Sequence, residues 1–252
     1  MPDSLPCLPT PQHRTLLDEM NHRIRIEFAS IINLVAFRAV RTDNVEAKQE
    51  LGNIVDLLHQ HVQLHGILTM PDRNALVDAG DQLRKLGLAM SRSRLDRMNI
   101  HLVLRADTLP LESERCWRLA LAVYELVTNA VRHACLDGRE GEIRIELLRA
   151  GSWANCRVSD NGARLGRIRP GRGLRIVSDL VTSLGGRIER SSGASRNSFA
   201  LDFPLTPRER QANRVVAARR PGTGRRRAEA ASSPRLPAVG ERVMAIAAQA
   251  EL

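Results

Sequence analysis

Residues 119–135 read LALAVYELVTNAVRHAC, and the rest of the chain is organised around them. Apolar residues recur at helical spacing: Leu119, Val123, Leu126, Val127, Ala130, Ala134. That spacing predicts an amphipathic helix. Glu125, Asn129, Arg132 and His133 fall three and four residues apart, so their side chains share one side of it. A carboxylate, an amide, a guanidinium and an imidazole make that stripe unusually polar for so apolar a helix. An amide oxygen is a hard donor of the kind Mg²⁺ takes, and a carboxylate one turn earlier can hold one of the ion's waters. A solvated polar face is the plain alternative.

Two later segments weigh against that alternative. Residues 156–162, CRVSDNG, read as a strand running into an Asp-Asn-Gly turn. Residues 171–186, GRGLRIVSDLVTSLGG, read as a glycine turn opening an apolar helix. Glycine lets backbone approach a phosphate, and a helix N-terminus offers N–H donors and a positive dipole end. A polar helix stripe, a strand ending in Asp-x-Gly, and Gly-x-Gly-Leu before a helix, in that order, form a specific constellation.

In these residues the chain resembles the Bergerat-fold ATPases, the superfamily of gyrase, Hsp90, histidine kinases and MutL. ELVTNAVRHA is similar to the N box of histidine kinases and anti-sigma kinases. The resemblance implies ATP and Mg²⁺ as cofactors. It implies that Asn129 ligates the metal, that Glu125 supports catalysis beside it, and that Arg132 and His133 face the phosphates. It implies that Asp160 accepts from the adenine amino group, with Gly162 giving the base room. Gly171, Gly173 and the amides near Leu174 would cradle the phosphates. The likeness runs from about Asp78 to Leu205. Ala163-Arg164 follows Gly162 where many kinases place a second glycine, and only eight residues separate Gly162 from Gly171. So short a lid predicts weak ATP affinity.

Upstream, residues 12–42 carry the stripe Leu17, Met20, Ile24, Phe28, Ile31, Val35, with steps of three and four. Asp43 or Asn44 can cap a second helix that runs to about Thr69, where Pro71 stops it. Two such helices form an antiparallel hairpin. One hairpin cannot bury both stripes, so a homodimeric four-helix bundle is expected. His22 lies two residues from both Met20 and Ile24, roughly 200° from the stripe at about 100° per residue, and points to solvent. Glu19, one turn earlier, can hydrogen-bond one ring nitrogen and leave the other nucleophilic. His65 is expected to face the bundle core.

The segment LLDEMNHRIRIEFASIINLV resembles the phosphoacceptor box of HWE-type and related histidine kinases, Glu-x-x-His-Arg-Val-Lys-Asn-x-Leu. Glu19, His22 and Arg23 match, Ile24 and Arg25 are close, and Ile26 and Glu27 depart from the usual Asn pair. The resemblance implies that ATP phosphorylates His22, with Glu19 and Glu125 as further catalytic residues, and that a response-regulator receiver domain takes the phosphoryl group. It leaves room for a separate sensory protein. The rivals are an anti-sigma-type serine kinase and a histidine phosphotransferase that has lost ATP use.

Composition bounds the rest. The 252 residues are 43% hydrophobic but 3% aromatic, so the core must be aliphatic. No apolar run approaches a bilayer span, and the N-terminus lacks the basic start and apolar stretch of a signal peptide, so a cytoplasmic protein is expected. The four cysteines are scattered. Net charge is +10, yet only Lys48 and Lys85 among the 38 basic residues are lysine. The arginine skew is one that a GC-rich genome produces, so a nucleic-acid partner is not inferred. The expected class is α+β: residues 1–11 disordered, a phosphotransfer hairpin at 12–70, a two-layer α/β sandwich of Bergerat type at 78–205, and an Arg-rich tail at 206–252. That tail is read as largely disordered, with weak helices near 208–220 and 239–249.

Overall fold

A computed structural model describes residues 11–71, 75–134, 140–162, 172–192 and 196–219. Helices α1 (Pro11–Val40) and α2 (Val45–Ile67) pack side by side as an antiparallel hairpin. Asn44 is the cap, its Oδ1 accepting from the Ala47 N–H at 3.1 Å. No residue of α2 is buried. Ile24, Phe28 and Val35 are half-buried against it, while Met20, Ile31, Leu34 and Phe37 stay exposed. Apolar residues therefore emerge on more than one side of α1. His65 is half-buried, and its Nδ1 has no partner among the described residues.

The second region starts with β1 (Leu76–Asp78) and α3 (Ala79–Met90). Asp78 caps α3 by accepting from the Gly80 N–H, and the same oxygen accepts from the Leu109 N–H at 2.9 Å. A π turn and a 3-10 turn over 91–98 lead to β2 (Ile100–Ala106), with Asn99 left-handed at φ 53°. Then come β3 (Pro110–Glu112), α4 (Ser113–Ala134), β4 (Gly141–Ala150), β5 (Trp153–Asp160), α5 (Arg172–Ser183), β6 (Arg187–Ser192), β7 (Asn197–Pro204) and α6 (Pro207–Arg219). β1 and β3 form a small antiparallel ribbon. The main sheet has the order β2-β4-β5-β7-β6, with β2 parallel to β4 and every other pair antiparallel.

Alternation sets the two faces of this sheet. Ile143, Ile145 and Leu147 are buried under α3, α4 and α5, while Glu142, Arg144 and Glu146 lie on the opposite face. From α4, Leu119, Val123, Leu126 and Val127 fill the layer between. The result is the expected α+β fold, a helical hairpin followed by a two-layer domain. α4 begins six residues before Leu119, because Cys116 continues its apolar stripe into the core.

α6 is the helix anticipated near 208–220, and it is docked on the domain. Glu209 is fully buried and accepts from the N–H groups of Glu112 and Thr206 and from Arg115 Nε. Arg115 also donates to the carbonyls of Leu184 and Pro204. One arginine thus ties the start of α4 to α6, the end of α5 and the end of β7. The fold continues past Leu205, and the second anticipated helix (239–249) lies outside the described residues.

Candidate functional site

The polar stripe of α4 sits where the helix meets the start of α5. Glu125 and Asn129 are half-buried, Arg132 is exposed, and the His133 side chain lies outside the described part. Gly173 is packed against this stripe. A Cβ there would stand 3.0 Å from Glu125 Oε2, 3.4 Å from Asn129 Nδ2 and 3.5 Å from Asn129 Oδ1. A Cβ there is a tight fit, and the Glu125 carboxylate would have to give by a few tenths of an ångström. The Asn129 Nδ2 atom is buried with no hydrogen-bond partner among the described residues. A buried donor left so costs about 1–3 kcal/mol. It is a group that gains from an acceptor oxygen brought by a ligand.

The second cluster closes β5. Asp160 is 4% exposed. Its Oδ1 accepts from the Gly162 N–H at 3.0 Å, an Asx turn, and from Asn197 Nδ2 at 3.1 Å. Asn197 is opposite Asp160 in the β5–β7 register and is itself buried. Asn161 holds the same turn to β4: its Oδ1 accepts from the Glu142 N–H at 2.7 Å and its Nδ2 donates to the Glu140 carbonyl. With Oδ1 doubly engaged, Oδ2 is the atom left for an external donor. Asn197 and Asn161 were not among the residues singled out from the sequence. The sequence signal for the first was a lone amide opening an otherwise alternating strand.

The remaining expected residues divide. Leu174 is half-buried and packs its side chain on the core. Gly171 and Arg164 lie outside the described residues. His22 is exposed on α1, as its spacing required. Glu19 is turned elsewhere, its Oε1 accepting from Arg23 Nε at 2.7 Å rather than from the imidazole. This one-turn ion pair forms because a guanidinium four residues on is a strong charge-assisted donor to a carboxylate. The Arg23 guanidinium holds the Glu19 carboxyl below its ordinary range.

The arrangement offers a buried carboxylate for a hydrogen-bonding base, an unsatisfied amide beside a second carboxylate, and a glycine where a helix begins. Residues 97–198 match the family model described as histidine kinase-like ATPase domain. This region resembles a histidine kinase-like ATPase domain. Asn129, Asp160, Gly162 and Gly173 all fall within the matched span of that domain. Over 212 residues the chain is 26% identical to blue-light-activated histidine kinase 2 of Erythrobacter litoralis, covering 78% of this chain and 60% of that protein. It is 29% identical over 188 residues to sensor histidine kinase PdtaS of Mycobacterium tuberculosis, covering 69% of this chain and 37% of the relative. The chain thus spans about three fifths of one relative's length and under two fifths of the other's. The histidine kinase domain from the E. litoralis EL346 blue-light activated kinase superposes with a TM-score of 0.51 at 22% identity, over 73% of this chain and 98% of that one, a likeness of fold. Both matches are longer than the span of the family model.

Proposed function

We propose that the chain is an ATP-dependent protein-histidine kinase that phosphorylates its own His22 and passes the phosphoryl group to an aspartate of a response-regulator receiver domain. The observation that carries the reading is the orphaned Asn129 amide beside Glu125, with Gly173 packed closely against both. These residues suit a nucleotide with its metal. Mg²⁺, held through Asn129 Oδ1, supplies neutralisation of phosphate charge when bound.

The chain's own groups do the rest. Asp160 Oδ2 accepts from the adenine amino group, and Asn197 and Gly162 fix that carboxylate in place. Glu125 orients water beside the metal. A neutral imidazole nitrogen of His22 attacks the γ-phosphorus, the bond to the β–γ bridging oxygen breaks, ADP leaves, and the ring gives up its other proton to water or a base. An exposed position on a helix suits such a ring, because two different pockets must reach it. Glu19 Oε1 is engaged by Arg23, which leaves Oε2 to orient the ring. Arg132 is exposed, and its guanidinium would meet the phosphates.

A second copy of the chain covers the exposed row of the hairpin in this reading. No helix among the described residues is long and apolar enough to cross a membrane. The test is incubation with γ-labelled ATP. The wild-type chain should acquire an acid-labile, base-stable label. His22→Ala should lose it while binding ATP as before, and a label persisting on His22→Ala would refute the assignment.

A further inference from the structure

The hairpin and the ATPase domain meet at the N-terminal end of α4, and the contact is specific. Trp117 Nε1 donates to the Leu68 carbonyl at 2.7 Å. That carbonyl follows the last turn of α2, where helical acceptors lack partners within the helix. Gln82 Nε2 reaches the neighbouring Ile67 carbonyl at 3.4 Å, and Leu64, Ile67 and Leu68 pack on the domain core. Beside these contacts lies a crevice of about 470 Å³, with Asn21 and Arg25 of α1 on one wall and Gln82, Ser113 and Trp117 on the other. Asn21 and Arg25 flank His22 in sequence. The acceptor segment of α1 thus lies alongside the first turns of α4.

The nucleotide residues lie at the other end of that helix. Asn129 is twelve residues beyond Trp117, which at 1.5 Å per residue places it about 18 Å away along the axis. In-line transfer needs the ring and the phosphorus within about 3.5 Å. While Trp117 is bonded to Leu68, the pocket and the histidine of the same chain are held apart.

We propose that the Trp117–Leu68 bond is a latch that keeps the ATPase domain in a resting position, and that phosphorylation within one chain requires it to open. This rests on the kinase reading above. Trp117 touches neither nucleotide nor imidazole, so it is a positioning residue. The apolar contacts of Leu64 and Ile67 tolerate sliding, whereas the indole bond has one direction and one acceptor, which suits it to define a single docked state.

The test uses the full chain, which has two tryptophans, Trp117 and Trp153. Trp117→Phe keeps a ring in place and removes only the donor. It should raise the initial rate of self-phosphorylation about three- to tenfold, the worth of one hydrogen bond, with ATP affinity unchanged. An unchanged or slower rate at wild-type affinity would overturn the latch. Nitrogen-15 NMR of the wild-type protein supplies a readout independent of activity. The Trp117 indole proton should exchange slowly without nucleotide, and faster with a non-hydrolysable ATP analogue. Exchange as fast as that of the exposed Trp153 in the nucleotide-free protein would equally overturn it. If neither chain takes an acid-labile label, the kinase reading fails, and the indole proton still reports whether the docked contact exists.

Discussion

The hairpin and the ATPase domain use similar aliphatic residues to opposite ends. In the domain, Leu119, Leu126, Ile145 and Leu201 are essentially inaccessible, and a continuous core joins sheet and helices. In the hairpin, no residue of α2 is fully buried, and Leu34 and Phe37 remain 60% and 56% exposed. Two helices give too little surface to close a core, whereas three helices on five strands suffice. The domain is complete by itself. The exposed row of the hairpin is the surface that the proposed second copy would cover.

The largest effect that sharpens this contrast is in folding. Leu126→Ala, in the closed core, should cost about 2–5 kcal/mol in denaturant unfolding. Leu34→Ala should cost under about 1 kcal/mol in dilute protein but weaken self-association, read by sedimentation across a concentration series. Equal, concentration-independent losses would erase the distinction. Next in size is Gly173→Ala, whose added methyl meets Glu125 at 3.0 Å. Calorimetric titration should show ATP affinity down tenfold or more while the melting temperature moves little. Asn197→Ala should follow, because it releases one of the two donors on Asp160 Oδ1. A several-fold rise in Kd for ATP is expected, and an unchanged Kd would remove Asn197 from the site.

The smallest effect is a pH dependence confined to the sheet. Arg196, and then Arg144, hold the Glu142 carboxyl below its ordinary range. A carboxylate depressed in the folded state stabilises above its unfolded pKa, and that contribution fades as pH falls through the folded value. Glu142 is about one third exposed, so screening keeps the effect under about 1 kcal/mol. Glu142→Gln should flatten the acid limb of stability by that amount and leave ATP binding alone.

Much of the site was legible because its chemistry is local. Asp160 and Gly162 sit in one Asx turn, and Glu125 and Asn129 are one helical turn apart, so spacing alone grouped each pair. The hairpin was equally readable from its period, and an exposed His22 from the angle it makes with the stripe. What escaped depends on contacts distant in sequence. Asn197 meets Asp160 across the β5–β7 register, from 37 residues away in sequence. β1 and β3 are three residues each, too short to show alternation. The buried Glu209 reads as one more charge in an arginine-rich tail until Arg115 is seen to reach it. The pairing expected between Glu19 and His22 gave way to a local one, since Arg23 engages Glu19 Oε1 from the same helix.

The central claim is that a pocket made by Asn129, Asp160 and Gly173 feeds one exposed imidazole on the hairpin. The most direct measurement is mass-spectrometric mapping of the full chain after incubation with ATP and Mg²⁺, digested and kept at neutral to alkaline pH. The account predicts a single added phosphoryl group on the peptide containing His22, absent from Asp160→Ala protein. Phosphate located on a serine or threonine, or on any other histidine, would contradict it.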